Sequence, residues 1–200
     1  ELDDGTTGRG LAAAGLTHQA EDLALLDVEG DVIHGLVDLE ILKNKGVITE
    51  KELESQKQEQ PYSAEYVKLY HTRLNFLREA SKKVNYKDEV VKFIESNPYL
   101  KQFCEFMAYK EANDNKSWTE WTVDTYSEET LFMWMFIQYE FFGQWAKIKE
   151  YANSKGIKII GDIPIYVAFD SADVWAEPEL FQLKADGTPK AVAGCPPDGF

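Results

Sequence analysis

Cationic residues are scarce in this sequence: 21 lysines and arginines stand against 35 aspartates and glutamates, a formal charge of −14 over 200 residues. Such a balance supplies no basic face for a nucleic-acid backbone or an anionic membrane surface. Cysteine is almost missing as well. Cys104 and Cys195 lie far apart, the pattern of free thiols in a reducing cytoplasm rather than of a disulfide framework, so a cytoplasmic location is expected. Of the three histidines, His18, His34 and His71, none has partners at metal-ligand spacing, so no metal centre is expected. No apolar run approaches the ~18 to 20 residues that span a bilayer, and the N-terminus lacks the basic-then-apolar order of a signal peptide.

The absences are concentrated at the start. Residues 1–40 hold no Phe, Tyr, Trp or Lys; lysine begins at Lys43 and aromatics at Tyr62. A linker, a separate small module and sequence foreign to the rest of the chain all fit that shift. Glycines 5, 8, 10 and 15 resemble a phosphate-cradling loop only loosely, for no β-branched strand precedes them and no Gly-Lys-Ser/Thr follows. The chain opens without Met and stops at Phe200 within a loop-like sequence, which is expected of a fragment.

What is present is a packed globular composition, 44% hydrophobic and 13% aromatic, enough for one good core. Thr49 with Glu52 predicts a capping box opening a short helix. Val67, Tyr70, Leu74 and Leu77, spaced by threes and fours after a Ser63 cap, predict another. A short amphipathic piece follows at 88–94. Asn97 and Pro98 place a cap and a first-turn proline before Leu100, Phe103, Met107 and Tyr109. Residues 113–127 read as a loop with two exposed-looking rings, Trp118 and Trp121. Ser127 caps a long helix through about Ser154, with Glu128 and Glu129 at its positive end and Gly156 at the position that terminates it. Its apolar residues, from Leu131 to Trp145, cover nearly every side, which predicts burial within a larger structure. Residues 157–160 then read as a strand. Helix, glycine and apolar strand in succession predict an α/β fold with a helix-covered parallel sheet.

In such folds ligands meet residues at the carboxyl ends of strands. Asp162 falls there, with Gly161 permitting close backbone approach; the same aspartate also fits a turn cap ahead of Pro164. Cys195 precedes two prolines with no histidine nearby, a poor nucleophile setting. Asp170 and Asp173 lack the alternating oxygen ligands of a calcium loop. Trp118, Trp121 and Trp175 read as lying in polar loops, where flat rings either serve a core or stack on sugars or partners.

Residues 158–200, KIIGDIPIYVAFDSADVWAEPELFQLKADGTPKAVAGCPPDGF, resemble the first signature region of the 4-α-glucanotransferases, the amylomaltases or disproportionating enzymes. The family pattern runs G-D-x-P-I-[YF]-V, D-S-A-D-V-W, P-E-L-F-Q-L and G-x-P-P-D, and all of it is here. The helix segment FIQYEFFGQW (136–145), the WTEW at 118–121 and DLEILKNKGVIT (38–49) are similar to upstream family segments, so the resemblance spans roughly 38–200.

The resemblance implies a (β/α)8 barrel of the α-amylase kind with helical insertions. Residues 38–126 are then mainly a helical insertion, 127–200 a barrel helix, strand and active-site loop, and 1–37 an atypical, chimeric or disordered segment. It implies transfer of α-1,4-glucan segments between maltooligosaccharides by a retaining double displacement, with two carboxyl groups as nucleophile and acid/base. Those groups are expected beyond Phe200, so no catalytic residue is expected here. Substrate contacts are expected from Asp162, Asp198, Phe200, Tyr166 and Trp175, with Asp173 beside them, and no cofactor is implied. A closed barrel needs all its strands, so the chain by itself is expected to release no glucose from maltotriose. An α-amylase-like hydrolase and a non-catalytic glucan-binding or helical interaction module are the competing readings.

Overall fold

The computed structural model describes residues 37–57, 66–161, 167–192 and 194, the side chains of 66–71 excepted. Helices dominate them, and several boundaries follow from local chemistry. Helix α1 (Leu39–Asn44) starts where the Asp38 carboxylate accepts the Glu40 N–H at 2.8 Å. It ends on Gly46 at φ +74°, where Val47 N–H reaches back to Leu42 and Gly46 N–H to Lys43, the paired bonds of a Schellman turn. Helix α2 (Glu50–Ser55) opens with the expected reciprocal box: Glu52 N–H donates to Thr49 Oγ1 and Thr49 N–H donates to Glu52. A cap of this kind contributes about 1 kcal/mol.

Helices α3 (Tyr66–Lys82), α4 (Lys87–Glu95) and α5 (Pro98–Ala112) follow. Ser63 lies outside the described residues, as do the side chains of Val67 and Tyr70. Leu77 is fully buried and Leu74 packs beside the core, so that face is as the spacing predicted. Pro98 occupies the first turn of α5, but Asn97 does not cap it. Its Nδ2 donates backwards to the Phe93 carbonyl at 2.7 Å, closing α4 instead. An asparagine between two helices can serve either one, and the carbonyl at the end of α4 is the group it reaches.

Helix α6 (Glu128–Ser154) is the hub. Ser127 Oγ accepts from Glu129 N–H at 3.2 Å, and Gly156 (φ +74°) ends the helix in a second Schellman turn, Ile157 N–H returning to Ala152. It packs against α3, α4 and α5. Its first half is deeply buried through Met133, Trp134, Phe136 and Ile137, which join Leu42, Leu77, Ile94, Phe103 and Cys104 in one continuous core; Phe141 is buried as well. Burial pushes the Cys104 thiol well above its usual range. The second half is different: Ile148 and Tyr151 are 56% and 67% exposed. Burial all round, expected from the sequence, holds only to about Gln144.

The strand expected at 157–160 has no pairing partner among the described residues, where the single β-bridge joins Leu183 to Pro189. Ile157 and Ile160 stand 58% and 93% exposed. A strand exists by pairing, and Lys158 interrupts its apolar run. The described part is therefore a helical assembly, with the short helix α7 (Ala172–Ala176) packed on α5. No described helix is long and apolar enough to cross a membrane.

Candidate functional site

Of the residues expected to face substrate, Asp162, Tyr166, Asp198 and Phe200 lie outside the described residues, as does Cys195. Trp175 is described, on α7 rather than in a loop. It sits where three elements converge: the end of α5, the loop 113–127 and the segment 167–176.

One side chain ties the start of the loop to its middle. Asn113, 5% exposed, ends α5 and uses its whole hydrogen-bonding capacity. Its Oδ1 accepts from Thr122 N–H (2.8 Å) and Val123 N–H (2.9 Å); its Nδ2 donates to the Tyr109 and Val123 carbonyls, both at 2.9 Å. Asp114 and Asn115 follow at φ 56° and 59°, a left-handed turn that these residue types tolerate and that starts the loop away from α5. Within it, Trp118–Glu120 forms a single 3-10 turn.

The segment 167–176 is fastened to both neighbours. Trp118 Nε1 donates to the Phe169 carbonyl at 2.9 Å and Trp118 N–H to Asp170 Oδ1 at 3.2 Å. Lys110 Nζ, on α5, donates to Asp170 Oδ2 and lies 5.5 Å from the Phe106 ring centroid. Ser171 caps α7, its hydroxyl accepting from Val174 N–H. Asp173 is only 3% exposed.

Trp175 packs among Phe106, Tyr109 and Trp121, with ring centroids at 5.9, 5.8 and 6.0 Å. Tyr109 stacks on Trp121 at 5.7 Å and meets Tyr126 edge-on at 4.6 Å. Trp118 and Trp121, expected to be exposed, are half-buried and border the core, because each indole N–H finds a backbone carbonyl, Trp121 at Lys116. The rings thus form a wall with one face inward and part of its surface open.

No group of three or more His, Cys, Asp or Glu able to hold a metal occurs among the described residues. Two acids near the site are fastened by hydrogen bonds. Asp170 reaches Lys110 and Trp118; Glu111 accepts from Trp134 Nε1 and from Arg78, at 2.7 and 2.6 Å. Lys110, Asn113 and Asp170 were not singled out by sequence reasoning as supports of this site. Asp170 sits inside the D-S-A-D-V-W stretch, but its partner is 60 residues away and leaves no local pattern.

The family profile described as 4-alpha-glucanotransferase matches residues 28–200. The 4-alpha-glucanotransferase of Streptococcus pneumoniae is 39% identical over 183 residues, covering 82% of this chain and 36% of that protein. That of Clostridium butyricum is 37% identical over 182 residues, covering 82% and 37%. Among solved structures, amylomaltase from Streptococcus agalactiae in complex with acarbose superposes with a TM-score of 0.74 at 34% identity, over 82% of this chain and 37% of that one. The chain thus spans a little over a third of the length of these relatives. With its helical assembly and its G-D-x-P-I-[YF]-V and D-S-A-D-V-W stretches, this chain belongs to the 4-alpha-glucanotransferase family.

Proposed function

We propose that the chain serves in a 4-α-glucanotransferase, which moves α-1,4-glucan segments between maltooligosaccharides. The observation that carries this reading is the family match over residues 28–200, together with the intact signature from residue 158 onwards. The chemistry is a retaining double displacement: one carboxylate forms a glycosyl intermediate, and a second carboxyl group protonates the leaving oxygen and then deprotonates the acceptor hydroxyl. Neither group is assigned to an acid of this chain.

The part assigned to this chain is one wall of the sugar site. In the complete barrel, residues 127–200 supply a helix, the segment 157–160 that pairs there as the strand ending on Asp162, and the loop after it; residues 38–126 supply a helical insertion. Asp162 holds sugar hydroxyls at the strand end, with Tyr166, Asp198 and Phe200 beside it. Trp175 offers a ring edge from the aromatic wall. Transfer prevails over hydrolysis where an acceptor sugar is held and water is kept out, a role that suits an aromatic surface backed by a dry core.

The reading is tested by titrating the chain with maltoheptaose while following tryptophan emission. A saturable change that cellohexaose does not reproduce is expected. Identical spectra with and without saturating maltoheptaose would count against it.

A further inference from the structure

We infer that Lys110 and Asp170 are positioning residues of the glucan site, holding Trp175 and the segment before it in the geometry that a sugar meets. The assignment rests on the glucan reading above and extends it to two side chains that need not touch sugar.

Three observations carry it. First, both Asp170 oxygens are engaged, and by different elements: Oδ2 by Lys110 of α5, Oδ1 by the Trp118 N–H of the loop. The Lys110 and Asp170 side chains are only 11% and 22% exposed, so the pair is shielded from solvent screening that would weaken a surface pair. Second, the neighbouring Phe169 is fixed as well, its carbonyl accepting from Trp118 Nε1 and its ring 5.4 Å from the Trp118 ring. Third, α7 has five residues, far below the length at which a helix holds itself, so its direction depends on what anchors its ends. Its N-terminal anchor is Ser171, the residue after Asp170, and Trp175 N–H donates to the Ser171 carbonyl at 3.1 Å. The clip therefore lies one residue before the cap of the helix that aims Trp175. In sequence it also follows Tyr166 by four residues and Asp162 by eight.

The experiment compares the 200-residue chain with its Lys110→Ala, Asp170→Asn and Lys110→Arg variants. Lys101→Ala, which removes an exposed lysine paired with Glu105 on the same helix, is the control. Three quantities are read: the rate of chymotryptic cleavage after Phe169, the maltoheptaose dissociation constant from tryptophan emission, and the thermal midpoint. Leaving one partner of a shielded pair without its counter-charge is expected to raise the cleavage rate and the dissociation constant roughly tenfold in Lys110→Ala. Asp170→Asn, which keeps an acceptor for Trp118 but leaves Lys110 without its counter-charge, should change both in the same direction. Lys110→Arg should restore most of both, and Lys101→Ala should change neither. Unchanged cleavage and affinity in Lys110→Ala and Asp170→Asn overturn the assignment. So does weaker binding that merely tracks loss of the whole unfolding transition in both variants, without rescue by arginine. A wild-type chain with no saturable maltoheptaose response overturns the glucan reading itself, and this assignment with it.

Discussion

Lys45 and Glu140, 95 residues apart, meet as a closed pair: Lys45 Nζ donates to both Glu140 oxygens, at 2.7 and 2.8 Å. Glu140 is 1% exposed in the middle of α6, and the Tyr86 hydroxyl adds a third bond to Oε1 at 2.7 Å. Burial, and then the carboxylate, push the Tyr86 phenol well above its ordinary range. The pair ties the α1–α2 hairpin to the hub helix. Removing the cation alone leaves a buried carboxylate short of donors, so Lys45→Met should destabilise the fold by about 2 to 3 kcal/mol. That is below the ~3 to 5 kcal/mol of a fully buried pair because a third of the Lys45 side chain is exposed. Glu140→Gln, which keeps an acceptor, should be milder. Urea unfolding of the two variants measures both.

Glu52 gives the pH dependence. Its carboxyl is held at about 2, against an ordinary 4.5, first by the hydrogen bond from Lys83 and then by the Thr49 N–H and hydroxyl. A depressed carboxyl stabilises the fold above its unfolded pKa and loses that contribution as pH falls toward the folded value. Stability should therefore decline between about pH 4.5 and 2. In Glu52→Gln that part of the decline should be absent, which denaturant midpoints across the range would show. Because the group is near the surface, the effect should shrink in high salt.

Asn113 makes four of the hydrogen bonds that fix the loop 113–127. Asn113→Ala removes all four bonds and leaves the Thr122 and Val123 N–H groups and the Val123 carbonyl seeking water, at an expected cost of about 2 to 4 kcal/mol. Asn113→Asp should be nearly as harmful, because an acceptor then faces the Tyr109 and Val123 carbonyls. Loss of the near-ultraviolet signal of Trp118 and Trp121 ahead of global unfolding is the expected signature.

Much of the helical frame was legible in the sequence because its determinants are local. The Thr49–Glu52 box, the Ser127 cap and the Gly156 terminus are each written within a few residues, and all three are present. What failed was non-local. Glu140 stands among phenylalanines and was absorbed into an apolar helix; Lys45 and Tyr86, both from outside that helix, explain it. Asn97 had two helices to serve, and spacing could not say which. At the site, the D-S-A-D-V-W stretch pointed to the right segment, while the lysine and the loop tryptophan that grip Asp170 are 60 and 52 residues away. The strand at 157–160 was read from isoleucines, but a strand is defined by its neighbours, and none is found for it among the described residues.

The exposed apolar residues have a consequence in solution. Ile148, Tyr151, Ile157 and Ile160 follow one another along the end of α6 and the segment after it, all more than half exposed. Apolar surface of this kind drives association. Sedimentation should show concentration-dependent self-association of the chain, reduced in the Ile157→Lys, Ile160→Lys double variant with little change in helicity.

The most direct test transplants function. Residues 38–200 replace the matching segment of the Streptococcus pneumoniae 4-alpha-glucanotransferase, and the hybrid is incubated with maltotriose while products are separated by length. Glucose together with a ladder of longer maltooligosaccharides is the expected result, and Asp162→Asn in the hybrid should slow their appearance roughly ten- to a hundredfold, the effect of losing a group that holds the sugar. A hybrid that unfolds cooperatively yet yields no transfer products, or one indifferent to Asp162→Asn, would contradict the assignment of this segment to the sugar site.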